Sequence, residues 1–445
     1  MTGWRRSVRR NGHILLLMAL PLVFAAACQS KDAPEPQPVP KEPVTITFSS
    51  LETGTGTAQK MAEAFMKQRP DIRVKTVILP PISDVMHNEY VNQLVSGSTD
   101  TDLFALDVIW IEEFASAGWL APLDEYFPAN ELKGMLPKPL EGVYSRGRMY
   151  ALPWYADTGL LFYRKDLLES LDRRPPATWD DLIAQAEMLK RTGLVEHGYV
   201  FQANAYEGLT VNFLESVWNN GGRLGERSDR PQLYSRESVE ALQYMQRLIR
   251  EGIAPKEVLD FKEGDSRDWF LDGRAAFLRS GPIVWGLSNR EDSKVKGRIG
   301  IAPLPVGPHG TTGGSSIGGS SLGMNARISE SRKAAAVAFL KFLIGEEAQK
   351  QIALEHSRIP VMKRTFEDPE VLAFNPFYRD IPAVLANSHF RPKAAHYADI
   401  SSVLQIGLHD ALSQGSPADK VLQAVDRIVG ELPSVAEPAS GLNRP

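Results

Sequence analysis

The stretch Tyr150-Ala151-Leu152-Pro153-Trp154-Tyr155-Ala156-Asp157-Thr158-Gly159-Leu160-Leu161-Phe162-Tyr163-Arg164-Lys165-Asp166-Leu167 decides the fold. It holds two extended, apolar pieces, Tyr150 to Pro153 and Gly159 to Tyr163, of the composition that buried strands carry. The residues joining them are read as a crossing between two lobes. A tyrosine and an aspartate on such a crossing are hard to account for as core, where apolar side chains dominate.

Strand and helix alternate on the N-terminal side of this stretch. Val44, Ile46 and Phe48 alternate with Thr45, Thr47 and Ser49, which predicts a strand, and Ala58 to Gln68 reads as a helix stopped by Pro70. Ile72 to Leu79 is a second strand and Val85 to Val95 a helix. Leu103 to Ile109 is a nearly continuous apolar run enclosing Asp107, as a buried parallel strand would be. On the C-terminal side the pattern becomes helical. Thr178 and Asp181 form a capping box ahead of Trp179 to Lys190. Ser235 caps Glu237 to Arg250, whose Val239, Leu242, Met245, Leu248 and Ile249 share one face. Gly307 to Gly323 is rich in glycine and serine and is read as containing a further crossing. Arg332 to Leu343, Gly345 to Leu354, Ile400 to Leu412 and Ala418 to Val429 are amphipathic helices. An α/β start, a helical middle, a return to strands and a helical end predict two α/β lobes that exchange the chain more than once and leave a cleft between them.

The chain has 445 residues, more than one hydrophobic core normally organises. With 43% hydrophobic and 23% charged residues and a formal net charge of −4, it reads as globular, with no general nucleic-acid-binding surface. Arg5, Arg6, Arg9 and Arg10 precede the apolar run Ile14 to Phe24, which is too short to span a bilayer, and Ala25-Ala26-Ala27 precedes Cys28, the only cysteine. Residues 1–27 are therefore expected to be a signal peptide. An exported protein with a single cysteine forms no internal disulfide, and a capped thiol is the economical explanation. The pattern resembles the bacterial lipobox, which implies acylation of Cys28, although Ala25 stands where leucine is usual; ordinary cleavage beside an incidental cysteine is the alternative. Residues 28–43, with prolines at 34, 36, 38, 40 and 43, form an extended tether.

Several motifs suggest catalysis and do not sustain it. Gly54-Thr55-Gly56-Thr57-Ala58-Gln59 follows a strand as a dinucleotide fingerprint would, but Gln59 replaces the third glycine and no acidic residue stands at the ribose position. Gly314-Ser315-Ser316-Ile317-Gly318 and Gly319-Ser320-Ser321-Leu322-Gly323 both match a nucleophile elbow, yet no helix start follows. The eight histidines show no metal-ligand spacing. No catalytic residue, metal or cofactor is expected.

Three segments carry a family resemblance: Asp102-Leu103-Phe104-Ala105-Leu106-Asp107-Val108-Ile109-Trp110-Ile111 running into Ala117-Gly118-Trp119-Leu120-Ala121-Pro122-Leu123-Asp124, the stretch from Tyr150 to Leu167, and Trp218-Asn219-Asn220-Gly221-Gly222. In this order, with Phe270 to Phe277 and Phe390-Arg391-Pro392, they resemble the extracellular solute-binding proteins of sugar ABC importers, most closely the trehalose/maltose group. The resemblance spans residues 44 to 430. It implies a two-lobed periplasmic-binding-protein fold of type II with an interlobe ligand cleft. Residues 44–154 and 277–328 are then expected in the N-terminal lobe, 155–276 and 329–437 in the C-terminal lobe, and 438–445 in a tail.

The resemblance places Asp107, Tyr155 and Asp157 on sugar-contacting positions, joined by Glu52 and Arg391. Carboxylates and a guanidinium exchange paired hydrogen bonds with hydroxyls, and aromatic faces cover C–H surfaces. Asp107 near the carboxyl end of its strand suits ligand binding in open α/β sheets. Trp110 and Trp218 read either as ligand platforms or as core. The group usually carries tryptophans in the segments that here are Ser280-Gly281-Pro282 and Gly319-Ser320-Ser321, so two stacking faces are missing. The expected function is that of a lipid-anchored, monomeric, non-catalytic receptor in the bacterial envelope, with a carbohydrate ligand and ABC permease subunits as partners. Rival readings are a receptor for a glycerophosphodiester or polyol, and a lipoprotein glycoside hydrolase working through two of these carboxylates.

Overall fold

Alternation in the first strand, β1 (Val44–Leu51), puts Ile46 and Phe48 on its buried face. The computed structural model describes residues 42–51, 56–227 and 229–432; the expected signal peptide, Cys28, most of the tether, Glu52 and the tail lie outside the described residues. Helix Thr57–Gln68 buries Ala58, Met61, Ala62 and Phe65, the i, i+3, i+4, i+7 stripe of one helix face. It returns the chain to β2 (Ile72–Leu79), parallel to β1 from Val44↔Ile72 to Leu51↔Leu79. Beyond helix Ser83–Val95, β3 (Leu103–Asp107) runs parallel on the other side of β1, buried up to Leu106.

A short hairpin of β4 (Tyr144–Ser145) and β5 (Arg148–Met149) precedes β6 (Ala151–Thr158) and β7 (Leu160–Arg164). The remaining strands are β8 (His197–Val200), β9 (Ala275–Ser280), β10 (Ile299–Ala302), β11 (Ile317–Met324) and β12 (Ile359–Pro360). Among the described residues they make a six-stranded sheet ordered β12-β6-β11-β3-β1-β2 and a four-stranded sheet ordered β10-β7-β9-β8. Because β11 is antiparallel to both β3 and β6, those two strands point the same way and end on one edge of the first sheet. The glycines of β11 serve its central position. Gly319 has φ +113°, and a Cβ there would lie 2.2 Å from the carbonyl oxygen of Tyr155. The strand also bulges between Ser320 and Ser321.

The lobe boundaries differ from the expected ones. The first crossing falls at Gly159, not at 154/155: Tyr155 and Ala156 still pair with β12, and Thr158 still pairs with Ile317. Polar Asp157 and Thr158 interrupt the apolar run without ending the strand, because β11 still pairs with both, Gly318↔Asp157 and Ile317↔Thr158. Residues 277–302 belong to the second sheet, since β9 pairs with β7 and β8 and β10 pairs with β7. Helix Glu330–Leu343 belongs to the first lobe, where Phe339 meets Phe48 at 5.7 Å and Phe65 at 5.0 Å. Only helices Tyr397–Gln414 and Ala418–Glu431 rejoin the second lobe, packing on helices Glu207–Asn219 and Arg236–Arg250. The Thr178 capping box and the Ser235 cap appear as read: Thr178 Oγ1 accepts from Asp181 N at 3.1 Å while Asp181 Oδ2 accepts from Thr178 N at 3.2 Å, and Ser235 Oγ accepts from Ser238 N at 3.1 Å.

Among the described residues three crossings join the lobes, at Gly159, at Gly314–Ser316 and near His389. They are bonded to one another. Gly159 N donates to Ser315 Oγ at 2.6 Å, His389 N to Ser315 O at 2.7 Å, and Ile317 N to His389 O at 2.8 Å. Buried Glu215, on helix Glu207–Asn219, accepts from Ser315 Oγ at 2.6 Å and Ser316 N at 3.1 Å. It also accepts a two-pronged contact from Arg279 of β9, at 2.7 and 2.6 Å. Burial works against the Arg279 charge, and Glu215 beside it more than compensates.

Three outcomes follow for thermal melting of the purified protein. Gly319→Ala should destabilise by about 3 kcal/mol, since it combines a left-handed backbone with a backbone clash, whereas Gly430→Ala, with open space around it, should stabilise slightly. Glu215→Gln should cost about 3 to 5 kcal/mol, the penalty for leaving a buried guanidinium without its counter-charge.

Candidate functional site

β3 and β6 deliver their acids to the same sheet edge. Asp107 is the last residue of β3, and Asp157 lies two residues after Tyr155 on β6, on the same face. Asp157 Oδ1 accepts the Thr158 N–H at 2.8 Å, and Oδ2 lies 3.4 Å from Arg358 Nη1. Burial pushes the Asp157 carboxyl above its usual range, opposed by the Arg358 charge. Its side chain nevertheless keeps 30% of its surface exposed. Facing it is Gly281, just beyond β9 in the second sheet; a Cβ there would sit 2.6 Å from Asp157 Oδ1. Asp157 is thus approached from both sheets. Tyr155 is only 4% exposed, and the Arg358 guanidinium lies 5.0 Å over its ring.

A second cluster joins the lobes at Asp107. Its Oδ1 accepts from Arg391 Nη2 at 2.7 Å, and Arg391 Nη1 reaches Glu207 Oε1 at 2.6 Å. Glu207, at the start of helix Glu207–Asn219, also accepts from Tyr397 Oη at 2.7 Å and from Ser401 Oγ. Burial penalises the Arg391 charge, but Asp107 and Glu207 outweigh it and hold the guanidinium protonated. Arg391 therefore bridges an acid from each lobe.

Trp218 stacks on His389 at 4.9 Å and lines a cleft of about 540 Å³ with Arg391, Gly222 and Phe390. Phe390 is flanked by Lys138 at 4.6 Å and Lys393 at 4.2 Å, two cation–π contacts at the cleft wall. Asp157 and Tyr155 do not line this cleft. Trp110 does not face it either. Its ring stacks on Phe114 at 6.3 Å and meets Tyr90 edge-on at 6.0 Å, in the core of the first lobe. Of the residues singled out in the sequence, the structure thus groups Tyr155 with Asp157 and Asp107 with Arg391, puts Trp218 on a cleft wall and Trp110 in the core.

Sequence reading missed Arg358 and Glu207. Glu207 had a faint signal, as the first-turn acid of a helix buried along most of its length. Arg358 had none, because its partners stand far away in the chain.

The model of the family described as bacterial extracellular solute-binding protein matches residues 49–350. A probable ABC transporter-binding protein of Deinococcus radiodurans is 30% identical over 382 residues, covering 84% of this chain and 89% of that one. A maltotriose-binding protein of Pyrococcus abyssi is 26% identical over 366 residues, covering 81% of this chain and 75% of that one. Among solved structures, maltose-bound T. maritima MalE3 superposes with a TM-score of 0.82 at 36% identity, covering 87% of this chain and 99% of that one. The hydrolase reading is set aside accordingly, since the matched proteins are binding proteins. The chain belongs to the bacterial extracellular solute-binding proteins and is a binding protein, not an enzyme.

Proposed function

We propose that this chain is the lipid-anchored receptor of an ABC importer, capturing a di- or oligosaccharide between its lobes and delivering it to the permease. The observation that carries the reading is the convergence on Asp157: a carboxylate and a guanidinium from the first sheet, faced by Gly281 from the second. A hydroxyl-covered solute held there touches both lobes. Contacts to both lobes exist only when the lobes are together, so ligand shifts the population toward the closed form, which a permease reads as occupancy. The maltotriose- and maltose-binding relatives support a sugar as the solute. Bare Gly281, where a stacking tryptophan is usual in the resembling group, favours a second reading in which the solute is a smaller polyol or a glycerophosphodiester.

Calorimetry against maltose, maltotriose, trehalose, mannitol and glycerophosphocholine tests the proposal. Binding of a di- or trisaccharide is expected, and selective binding of glycerophosphocholine would replace it with the second reading. Asp157→Ala should weaken the bound sugar by about 2 to 4 kcal/mol, the worth of a charge-assisted partner in a desolvated site, and should lower the melting of the empty protein less than Glu215→Gln does, because the Asp157 carboxylate is 30% exposed and its Arg358 contact is long at 3.4 Å. A structural aspartate would show the reverse. Among the described residues no helix is long and apolar enough to cross a membrane, so in this reading acylated Cys28 is the anchor. Cys28→Ser should move the protein from the detergent phase to the aqueous phase with sugar affinity unchanged; continued partitioning with lipid would sink the lipoprotein assignment.

A further inference from the structure

Tyr155 is shielded from solvent. Its ring is almost wholly buried, and what lies over it is the Arg358 guanidinium. The backbone around Arg358 is fixed from both sides. Ser357 takes a left-handed conformation, φ 50°, at the end of helix Glu346–His356. Arg358 N donates to Ile352 O at 3.1 Å, and Arg358 O accepts from Tyr378 Oη at 3.0 Å. A non-glycine residue held left-handed beside a site is a constraint the surrounding structure must maintain. Its product here is a guanidinium held over a ring, 5.0 Å from its centroid, at the carboxyl edge of β6.

That guanidinium is under-used by the protein. Of the five N–H donors an arginine carries, one reaches an acceptor among the described residues, Asp157 Oδ2 at 3.4 Å. Nε is buried with no hydrogen-bond partner, and the residue is only 7% exposed. Buried polar groups are ordinarily paired, and charged ones pay most when they are not.

We propose that Arg358 is a ligand-contacting residue and Tyr155 its support, so that Asp157 and Arg358 together grip a vicinal diol of a neutral polyhydroxy ligand. The inference rests on the sugar-receptor reading and refines it. One hydroxyl donates to the Asp157 carboxylate, and the oxygens of the pair accept from the guanidinium fork, whose planar geometry suits two adjacent acceptors. The charges of Asp157 and Arg358 cancel, so a neutral diol meets no uncompensated charge. Tyr155 acts through Arg358: its ring holds the guanidinium plane by a cation–π contact.

The test is calorimetry with maltose, maltotriose, mannitol and glycerophosphocholine on the wild type, Arg358→Lys, Arg358→Gln, Tyr155→Phe, Tyr155→Leu and the Arg358→Lys/Tyr155→Leu double variant, each with the melting temperature of the empty protein. Arg358→Lys keeps the charge beside Asp157 and removes only the fork, so it guards against loss of fold. It should weaken the bound sugar or polyol at least tenfold, and Arg358→Gln at least as much. Tyr155→Phe should stay within threefold, Tyr155→Leu should weaken binding, and the double variant should bind no more weakly than Arg358→Lys alone. Wild-type affinity in a folded Arg358→Lys protein overturns the inference and leaves the receptor reading standing, as do losses that multiply in the double variant, since Tyr155 would then touch ligand independently. Preference of the wild type for glycerophosphocholine overturns the neutral-diol assignment. No binding to any sugar or polyol by the wild type overturns the receptor reading itself.

Discussion

The carboxylate of Glu215 is the fastening on which the two-lobed arrangement depends. It sits on a helix of the second lobe and is buried, which is tolerable only because Arg279, Ser315 Oγ and the Ser316 amide all donate to it. Ser315 passes the connection on to the amide of Gly159, and its carbonyl accepts from His389. One acid on one helix therefore ties together chain segments from three distant parts of the sequence. The three crossings are bonded into one strap and are not three independent linkers.

The candidate site takes its geometry from that strap and from sheet order. With β11 lying between β3 and β6, Asp107 and Asp157 are spaced along the sheet edge by an intervening strand, about 10 Å apart at the usual strand separation. Each acid meets its own arginine, Arg391 or Arg358. The two pairs differ in what they do. Arg391 bonds acids of both lobes through Nη1 and Nη2 and reads as a tie, although its Nε, like that of Arg358, has no partner among the described residues. Arg358 is poorly satisfied and reads as a hand held open.

Local signals in the sequence were legible because their physics is local. The alternation in Val44–Phe48, the stripe of Ala58, Met61, Ala62 and Phe65, and the Thr178 and Ser235 caps all appear in the structure with boundaries shifted by a residue or two. Asp107 was legible as an acid near the carboxyl end of its strand, and Asp157 as an acid on the stretch between two extended pieces. What escaped was everything fixed by partners far off in the chain. Nothing near Phe277 says that β9 pairs with β7 instead of joining the first sheet, and nothing near Phe339 says that its ring belongs against Phe48. Arg358 meets Asp157 across 201 positions and Arg391 meets Glu207 across 184. The tryptophans show the converse limit. Trp110 and Trp218 look alike in sequence, and only packing sends one to the core and the other to a cleft wall.

The late return of helices Tyr397–Gln414 and Ala418–Glu431 to the second lobe bears on the order of assembly. Leu404, Leu408 and Leu422 are fully buried there, in a core begun some two hundred residues earlier by Leu209 and Phe213. That core is incomplete until nearly the whole chain is available, and its high contact order predicts slow closure. For a protein whose family works outside the cytoplasm, slowness is an advantage. A lobe that does not finish folding while its last helices are still on the ribosome remains a thread that a translocation channel can pass, and the same topology that builds the cleft delays its completion until the chain has reached the far side.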